Sequence, residues 1–174
     1  MATLLDKPDE SKVNLSAGQY LEFTLDHVSC GIPIHSVTEI IEVLKITPIP
    51  NSPSYIKGII NLRGKLITTM DLRLRFDIPQ KEYGEKTCII IVNCNENRQG
   101  QIGLIVDVVS EVIEIPESEI EHSFGFNFLE NKNFLEGIGK IKDKAVMLLN
   151  ISSVLNSGET TNYIKDNTTL MATP

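Results

Sequence analysis

The sequence predicts an all-β fold made of two similar units, and two observations lead to this prediction. Apolar and polar residues alternate in short runs that are broken by Gly, Pro, Asn or Asp, which is the pattern of half-buried strands. One part of the chain also repeats in another part, and no stretch shows a long helical period. Short strands at this spacing are typical of sandwiches and small barrels.

The first element is a strict alternation in which Leu21, Phe23 and Leu25 share one face. A second alternating run carries Val28 and Cys30. Later runs with strand character cover residues 58–62, 66–72, 87–92, 101–106, 109–115, 135–141 and 145–151. Two short helices are expected at 72–76 and 151–155, because Asp71 and Asn150 stand before them as residue types that cap helix N-termini.

The internal repeat consists of two matches in the same order. Residues 37–43 match residues 109–115 at an offset of 72, and residues 55–72 align without gaps to residues 134–151 at an offset of 79. The second copy therefore holds seven additional residues between its two halves, within 117–133. This order predicts a duplicated unit, and the two copies are expected to share an interface because each is small.

The predicted organisation has a core domain and two tails. Residues 1–17 and 157–174 lack periodicity and are expected to be flexible tails. The domain covers residues 18–156, with a first unit of about 18–80 and a second of about 81–156.

Composition excludes several classes of protein. The chain has 174 residues, of which 41% are hydrophobic, so disorder is excluded. Its 16 basic and 23 acidic residues give a net charge of −7, which disfavours binding to nucleic acid. The longest apolar runs have five residues, at 88–92 and 145–149, far below the roughly 20 that a membrane-spanning helix needs. With no secretory signal at the start, the protein is expected in the cytoplasm without membrane insertion.

No catalytic or metal site is predicted. The three histidines, His27, His35 and His122, are far apart, and the three cysteines show no CxxC spacing and are expected to be reduced. No nucleophile motif or phosphate-binding glycine loop is present. An acidic run is interpreted as a solvated edge, and it consists of Glu111, Glu114, Glu117, Glu119 and Glu121. We therefore expect no enzyme activity, no cofactor and no required metal.

Two charged residues are candidates for binding a partner. Arg63 precedes Gly64 at a predicted hairpin turn, where glycine supplies the positive φ, and the second copy has Lys142-Asp143 instead. A planar guanidinium on a rigid turn suits a protein carboxylate, although a solvated loop arginine is the alternative. Glu39 is either a charge at the rim of an apolar groove or the first residue of a helix.

Several motifs, taken in order, resemble the CheW family of bacterial chemotaxis coupling proteins. They include Tyr20-Leu-Glu-Phe-Thr-Leu, Val37-Thr-Glu-Ile-Ile, the Gly58-Ile-Ile-Asn-Leu-Arg-Gly64 hairpin and Leu104-Ile-Val-Asp-Val-Val-Ser-Glu-Val112. The resemblance extends over about residues 19–155. It implies two five-stranded Src-homology-3-like β-barrels, which agrees with the duplication. It also implies a non-catalytic adaptor that joins the cytoplasmic tips of chemoreceptors to the histidine kinase CheA.

The resemblance also implies a receptor-binding groove between the barrels. The matching residues are Val37, Glu39, Gly58, Asn61 and Arg63 in the first unit, with Val106, Asp107, Val109 and Val112 in the second. The residues that contact the kinase are not assigned. Thr68 and Thr69 depart from the family pattern.

Other classes fit the sequence less well. A CheV-type protein would add a receiver domain, for which we expect no room after Asn156, and the N-terminal start disfavours a detached regulatory domain of CheA. An enzyme on a small barrel would need a catalytic set that the chain lacks. The alternatives that stay open are a CheW-like module of another two-component pathway and a small-barrel binding protein outside chemotaxis.

Overall fold

The computed structural model describes residues 18–94, 100–122 and 134–155. The predicted tails, 1–17 and 157–174, lie outside the described residues. The strands are β1 (Gln19–Leu25), β2 (Val28–Pro33), β3 (Val37–Glu42), β4 (Ile56–Leu62), β5 (Lys65–Asp71), β6 (Cys88–Asn93), β7 (Gln101–Val106), β8 (Val108–Glu114), β9 (Ile120–Glu121), β10 (Leu135–Ile141) and β11 (Lys144–Leu149). The α-helices are α1 (Leu72–Arg75) and α2 (Ile151–Leu155), and 3-10 turns cover Ile34–Ser36 and Glu117–Glu119.

In the described residues the strands form two sheets, and the predicted all-β class is confirmed. One sheet has five strands in the order β3-β6-β7-β5-β4, and the other has six in the order β8-β1-β2-β11-β10-β9. Each sheet thus takes two neighbouring strands from the opposite half of the chain. The predicted division near residue 80 stays a prediction about sequence units, since both sheets cross it.

The two sheets repeat each other strand for strand. The parallel pair β2–β11 places Cys30 opposite Met147, and the parallel pair β5–β7 places Thr68 opposite Ile102. These two pairs are related by the offsets of 72 and 79 that the sequence repeat predicts. The duplication is therefore visible in the register as well as in the sequence.

Irregular features of the strands are duplicated too. The β4–β5 hairpin has a register shift between Ile56 and Gly58, and the β10–β11 hairpin has one between Leu135 and Gly137. Both positions in the second hairpin lie 79 residues after those in the first. A bulge that recurs at an equivalent position is a designed feature of the unit.

The largest hydrophobic cluster combines residues from both sheets. Phe23 and Ile32 from the six-stranded sheet and Ile90 and Leu104 from the five-stranded sheet belong to it, and all four are fully buried. Smaller clusters lie within each sheet, one around Ile89 and one around Ile115 in the described residues. The two sheets therefore share one central core, as the small size of each unit predicts.

The structure corrects one local interpretation and extends another. Residues 37–42 form strand β3, so the interpretation of Glu39 as the first residue of a helix is wrong. The side chain at this position faces a sheet edge and not a helix dipole. The acidic run is exposed, as predicted. Within the described ranges, no helix has the length and apolarity needed to cross a bilayer.

Candidate functional site

The tip of the β4–β5 hairpin presents Arg63 on a tight turn. Arg63 and Gly64 both have positive φ, 52° and 85°, which is the backbone of a type I′ turn. The Asn61 side chain supports this turn, because its Oδ1 accepts a hydrogen bond from Gly64 N at 2.8 Å. The Arg63 side chain is 70% exposed, so the turn displays it to solvent.

Glu39 lies on β3 and pairs with Arg63. A guanidinium nitrogen of Arg63 donates a hydrogen bond to Glu39 Oε1, and this hydrogen bond raises the pKa of Arg63. The pair joins the two outer strands of the five-stranded sheet, since β3 and β4 are its edges. The same edges meet again at Thr47 and Ile59, which exchange two backbone hydrogen bonds of 2.9 and 2.8 Å.

Gly58 has a structural role in the same hairpin. Its φ is +142°, and an added Cβ would lie 2.0 Å from the carbonyl oxygen of Thr47. This close approach permits the contact between the Thr47 segment and β4. Gly58 is therefore required for the sheet to form as it does, whatever else it contacts.

The apolar residues of the predicted groove differ in how far they are exposed. Val37 and Val109 are half-buried and both pack against the central core cluster. Val112 is 49% exposed, whereas Val106 is 1% exposed and belongs to that cluster. The prediction that Val106 lines a binding surface is wrong, because its side chain is packed between the sheets.

Asp107 belongs to an ion-pair network that connects the halves of the chain. Its carboxylate accepts hydrogen bonds from Arg73 Nε and Nη2 at 2.8 and 2.7 Å and from the backbone N–H of Asp26 at 2.7 Å. Burial raises the pKa of Asp107, but the hydrogen bonds from Arg73 and Asp26 outweigh it and leave the pKa lowered. The structure thus gives Asp107 a structural function in α1 docking.

The sequence analysis does not identify two buried arginines of α1. Arg73 connects to Asp107, to Asp26 and to the carbonyl of Pro79, while Arg75 Nε donates to the carbonyl of Val154 at 2.9 Å. The signal available in the sequence is an arginine at alternate positions of a short capped helix. It is too weak to separate buried arginines from solvated ones.

The histidines and acidic residues do not converge on a site. His122 contacts Glu117 and the carbonyl of Glu136, and these hydrogen bonds raise its pKa. Across the described ranges, no group of three or more His, Cys, Asp or Glu side chains is placed to hold a metal ion. The cysteines are free, with Cys30 buried and the other two half-buried.

The arrangement resembles known proteins in sequence and in structure. The family model described as CheW-like domain matches residues 19–159. The Chemotaxis protein CheW of Klebsiella aerogenes is 33% identical over 141 residues, which are 81% of this chain and 83% of that protein. The protein of the same name from Bacillus subtilis is 30% identical over 144 residues, covering 83% and 90%.

A solved structure agrees with the sequence matches. The scaffolding protein TtCheW from Thermoanaerobacter tengcongensis superposes with a TM-score of 0.74 and 35% identity, over 82% of this chain and 94% of that one. Proteins of this family are non-catalytic scaffolds, which confirms the prediction that the chain is not an enzyme. With the family model spanning most of its length, the chain belongs to the CheW family of chemotaxis scaffold proteins.

Proposed function

We propose that this chain couples the cytoplasmic tips of chemoreceptors to the histidine kinase CheA and acts in the cytoplasm at membrane-bound receptor arrays. Membership of the CheW family supports this proposal. The shared core also supports it, because two sheets that are packed on one core hold their outer surfaces in a fixed relation. A scaffold needs that property to bind two partners at once.

The receptor surface that we propose is centred on the Arg63–Glu39 pair. A guanidinium has five N–H donors, and the bond to Glu39 uses one of them. The remaining donors are displayed on a rigid turn, in the geometry that suits a protein carboxylate or backbone carbonyl. The pair is the observation that carries this proposal, because it holds a long side chain in place before any partner arrives.

The apolar part of the proposed surface consists of Val37, Val109 and Val112. The first two lie at the margin of the central core and the third is exposed. A charged anchor beside apolar residues is the usual composition of a binding hot spot. Asn61 contributes by fixing the turn, and kinase contacts are left unassigned.

The test replaces Arg63 and its equivalent in the second unit. Lys142 occupies the matching hairpin turn, with a positive φ of 54°, and Lys142→Ala is the matched control. We expect Arg63→Ala to weaken binding to a receptor-tip fragment roughly 30-fold, which is about 2 kcal/mol and typical of an anchor. Lys142→Ala should leave the affinity unchanged.

Thermal melting separates binding from folding in the same variants. An exposed ion pair contributes at most about 1 kcal/mol, so Arg63→Ala should melt close to the parent. Glu39→Ala should also weaken receptor binding, because it releases the Arg63 side chain. Full affinity in both variants would show that the receptor binds elsewhere.

A further inference from the structure

Two equivalent cavities lie at opposite ends of the duplicated fold. One has a volume of about 330 Å³ and is lined by Asp71, Arg73, Ile105 and Asp107. The other has a volume of about 530 Å³ and is lined by residues at the equivalent positions, namely Asn150, Ser152, Pro33 and His35. The offsets of 79 and 72 that relate these residues are those of the sequence repeat.

The chain that follows α1 covers the smaller cavity. Tyr83 donates a hydrogen bond from its hydroxyl to Asp71 Oδ2 at 2.8 Å, and Pro79 accepts one from Arg73 at 2.9 Å. Burial and the Asp71 carboxylate raise the pKa of Tyr83. Asp71 is only 1% exposed beneath this segment. Residues 79–87 therefore close the first cavity as a strap anchored by one tyrosine.

The larger cavity has no such strap among the residues that the structure describes. Asn150, at the position of Asp71, is half-buried, and its Oδ1 accepts a hydrogen bond from Ser153 N at 3.1 Å. Its amide group keeps further donors and an acceptor lone pair for a hydroxyl. Ser152 replaces Arg73 here, and the shorter side chain accounts for part of the larger volume.

The sequence after α2 repeats the features that build the strap. Tyr83 follows the last residue of α1 by eight positions, and Tyr163 follows the last residue of α2 by eight positions. Asp77 turns the chain after α1 with a φ of 59°, and Asn156 stands at the equivalent position. Asp and Asn are the residue types that adopt this left-handed conformation most readily.

We propose that the segment 156–166 folds back across the larger cavity and that Tyr163 anchors it through a hydrogen bond with the Asn150 side chain. Eight residues span up to about 26 Å, and in the first unit the same number reaches the equivalent side chain. The 19 residues from 156 to 174 begin directly at the helix that lines this cavity. None of the cavity residues belongs to the proposed receptor surface, so this proposal stands apart from it.

Cys94 provides a chemical reporter, because it lines the larger cavity and its thiol is half-buried. Burial raises the pKa of Cys94 to about 11, so alkylation at pH 8 is slow unless the cover is removed. Cys88 lies outside the cavity lining and is the internal reference. The experiment measures the ratio of the alkylation rates of Cys94 and Cys88 by iodoacetamide in the full chain.

We expect Tyr163→Ala to raise this ratio roughly two- to tenfold, the effect of losing one net hydrogen bond and its packing. Tyr163→Phe should raise it by less, and Thr173→Ala, the matched tail control, should leave it unchanged. Because the ratio cancels global unfolding, an unchanged ratio in Tyr163→Ala overturns the proposal even if both rates rise. An equal rise in Thr173→Ala also overturns it, since the anchor would then not be Tyr163.

Discussion

Two glycines in the first half of the chain differ sharply in what a side chain would meet. At Gly58 an added Cβ lies 2.0 Å from the Thr47 carbonyl oxygen, and the φ of +142° is a region that L-residues avoid. At Gly84 nothing lies within 4 Å. We expect Gly58→Ala to destabilise the protein by more than about 3 kcal/mol, from steric overlap and backbone strain together.

Gly84→Ala is the matched control and should change stability by no more than about 1 kcal/mol. Urea unfolding of both variants measures the difference. Equal stabilities would mean that the Thr47 segment moves aside at little cost. This comparison also affects the binding experiments, because lost receptor binding in Gly58→Ala would follow from unfolding and could not assign Gly58 to the receptor surface.

The Arg73–Asp107 pair predicts a dependence of stability on pH. The pKa of Asp107 is lowered in the folded protein, whereas an unfolded aspartate titrates at about pH 4. Just below that pH the unfolded chain binds more protons than the folded one, so stability falls as the pH falls through the folded pKa. Above about pH 5 the contribution of this pair is complete.

The measurement is urea unfolding between pH 2.5 and pH 6 for the parent and for Asp107→Asn. The variant should be less stable at pH 6 and should lose less stability on acidification. Some slope should persist, because bonds from Lys144 and Ser29 outweigh the effect of burial and lower the pKa of Glu22. Parallel curves for parent and variant would show that Asp107 is not ionised through Arg73 in the way the geometry indicates.

The two short helices begin with equivalent caps of unequal strength. Asp71 accepts hydrogen bonds from Arg73 N at 2.9 Å and from the Tyr83 hydroxyl at 2.8 Å, while Asn150 accepts one from Ser153 N at 3.1 Å. We expect Asp71→Ala to cost about 2 kcal/mol or more and Asn150→Ala about 1 kcal/mol. Thermal unfolding ranks the two, and the reverse order would contradict the assignment of the stronger cap to the first unit.

The elements of this fold are predictable from sequence where the signal is local. The alternation of β1, the β4–β5 hairpin and both helix caps depend on residues within a few positions of one another, and the structure confirms them. Strand β3 is different, because its assignment depends on pairing with β6, some 50 residues later. The two-residue strand β9 is likewise defined by its contact with β10.

The candidate site was only partly predictable for the same reason. Gly64 at the turn follows from turn chemistry, and its φ is positive as expected. The contact of Arg63 with Glu39 could not be predicted, because it requires the two edges of the sheet to meet. The burial of Val106 was also hidden, since an apolar residue beside an aspartate is equally compatible with a groove and with a core.

At the scale of the whole molecule, each sheet depends on both halves of the chain. Strands β1 and β2 of the first half lie between β8 and β11 of the second, and β6 and β7 of the second half lie between β3 and β5 of the first. The central core combines side chains from both sheets. A cut near residue 80 would therefore leave each fragment without the strands that its sheet requires.

We expect fragments 1–80 and 81–174 to lack a cooperative thermal transition separately and to regain one when mixed in equal amounts. The opposite outcome has a definite physical meaning, because β1 and β2 are the equivalents of β6 and β7 and could take their place within fragment 1–80. That fragment would then fold alone, with Phe23 standing where Val92 lies opposite Val37 in the intact sheet. The larger ring at that position must fit beside the half-buried Val37, and overpacking of this kind costs about 1–3 kcal/mol. Circular dichroism melts of the separate fragments therefore decide whether the pairing between halves is required or only preferred.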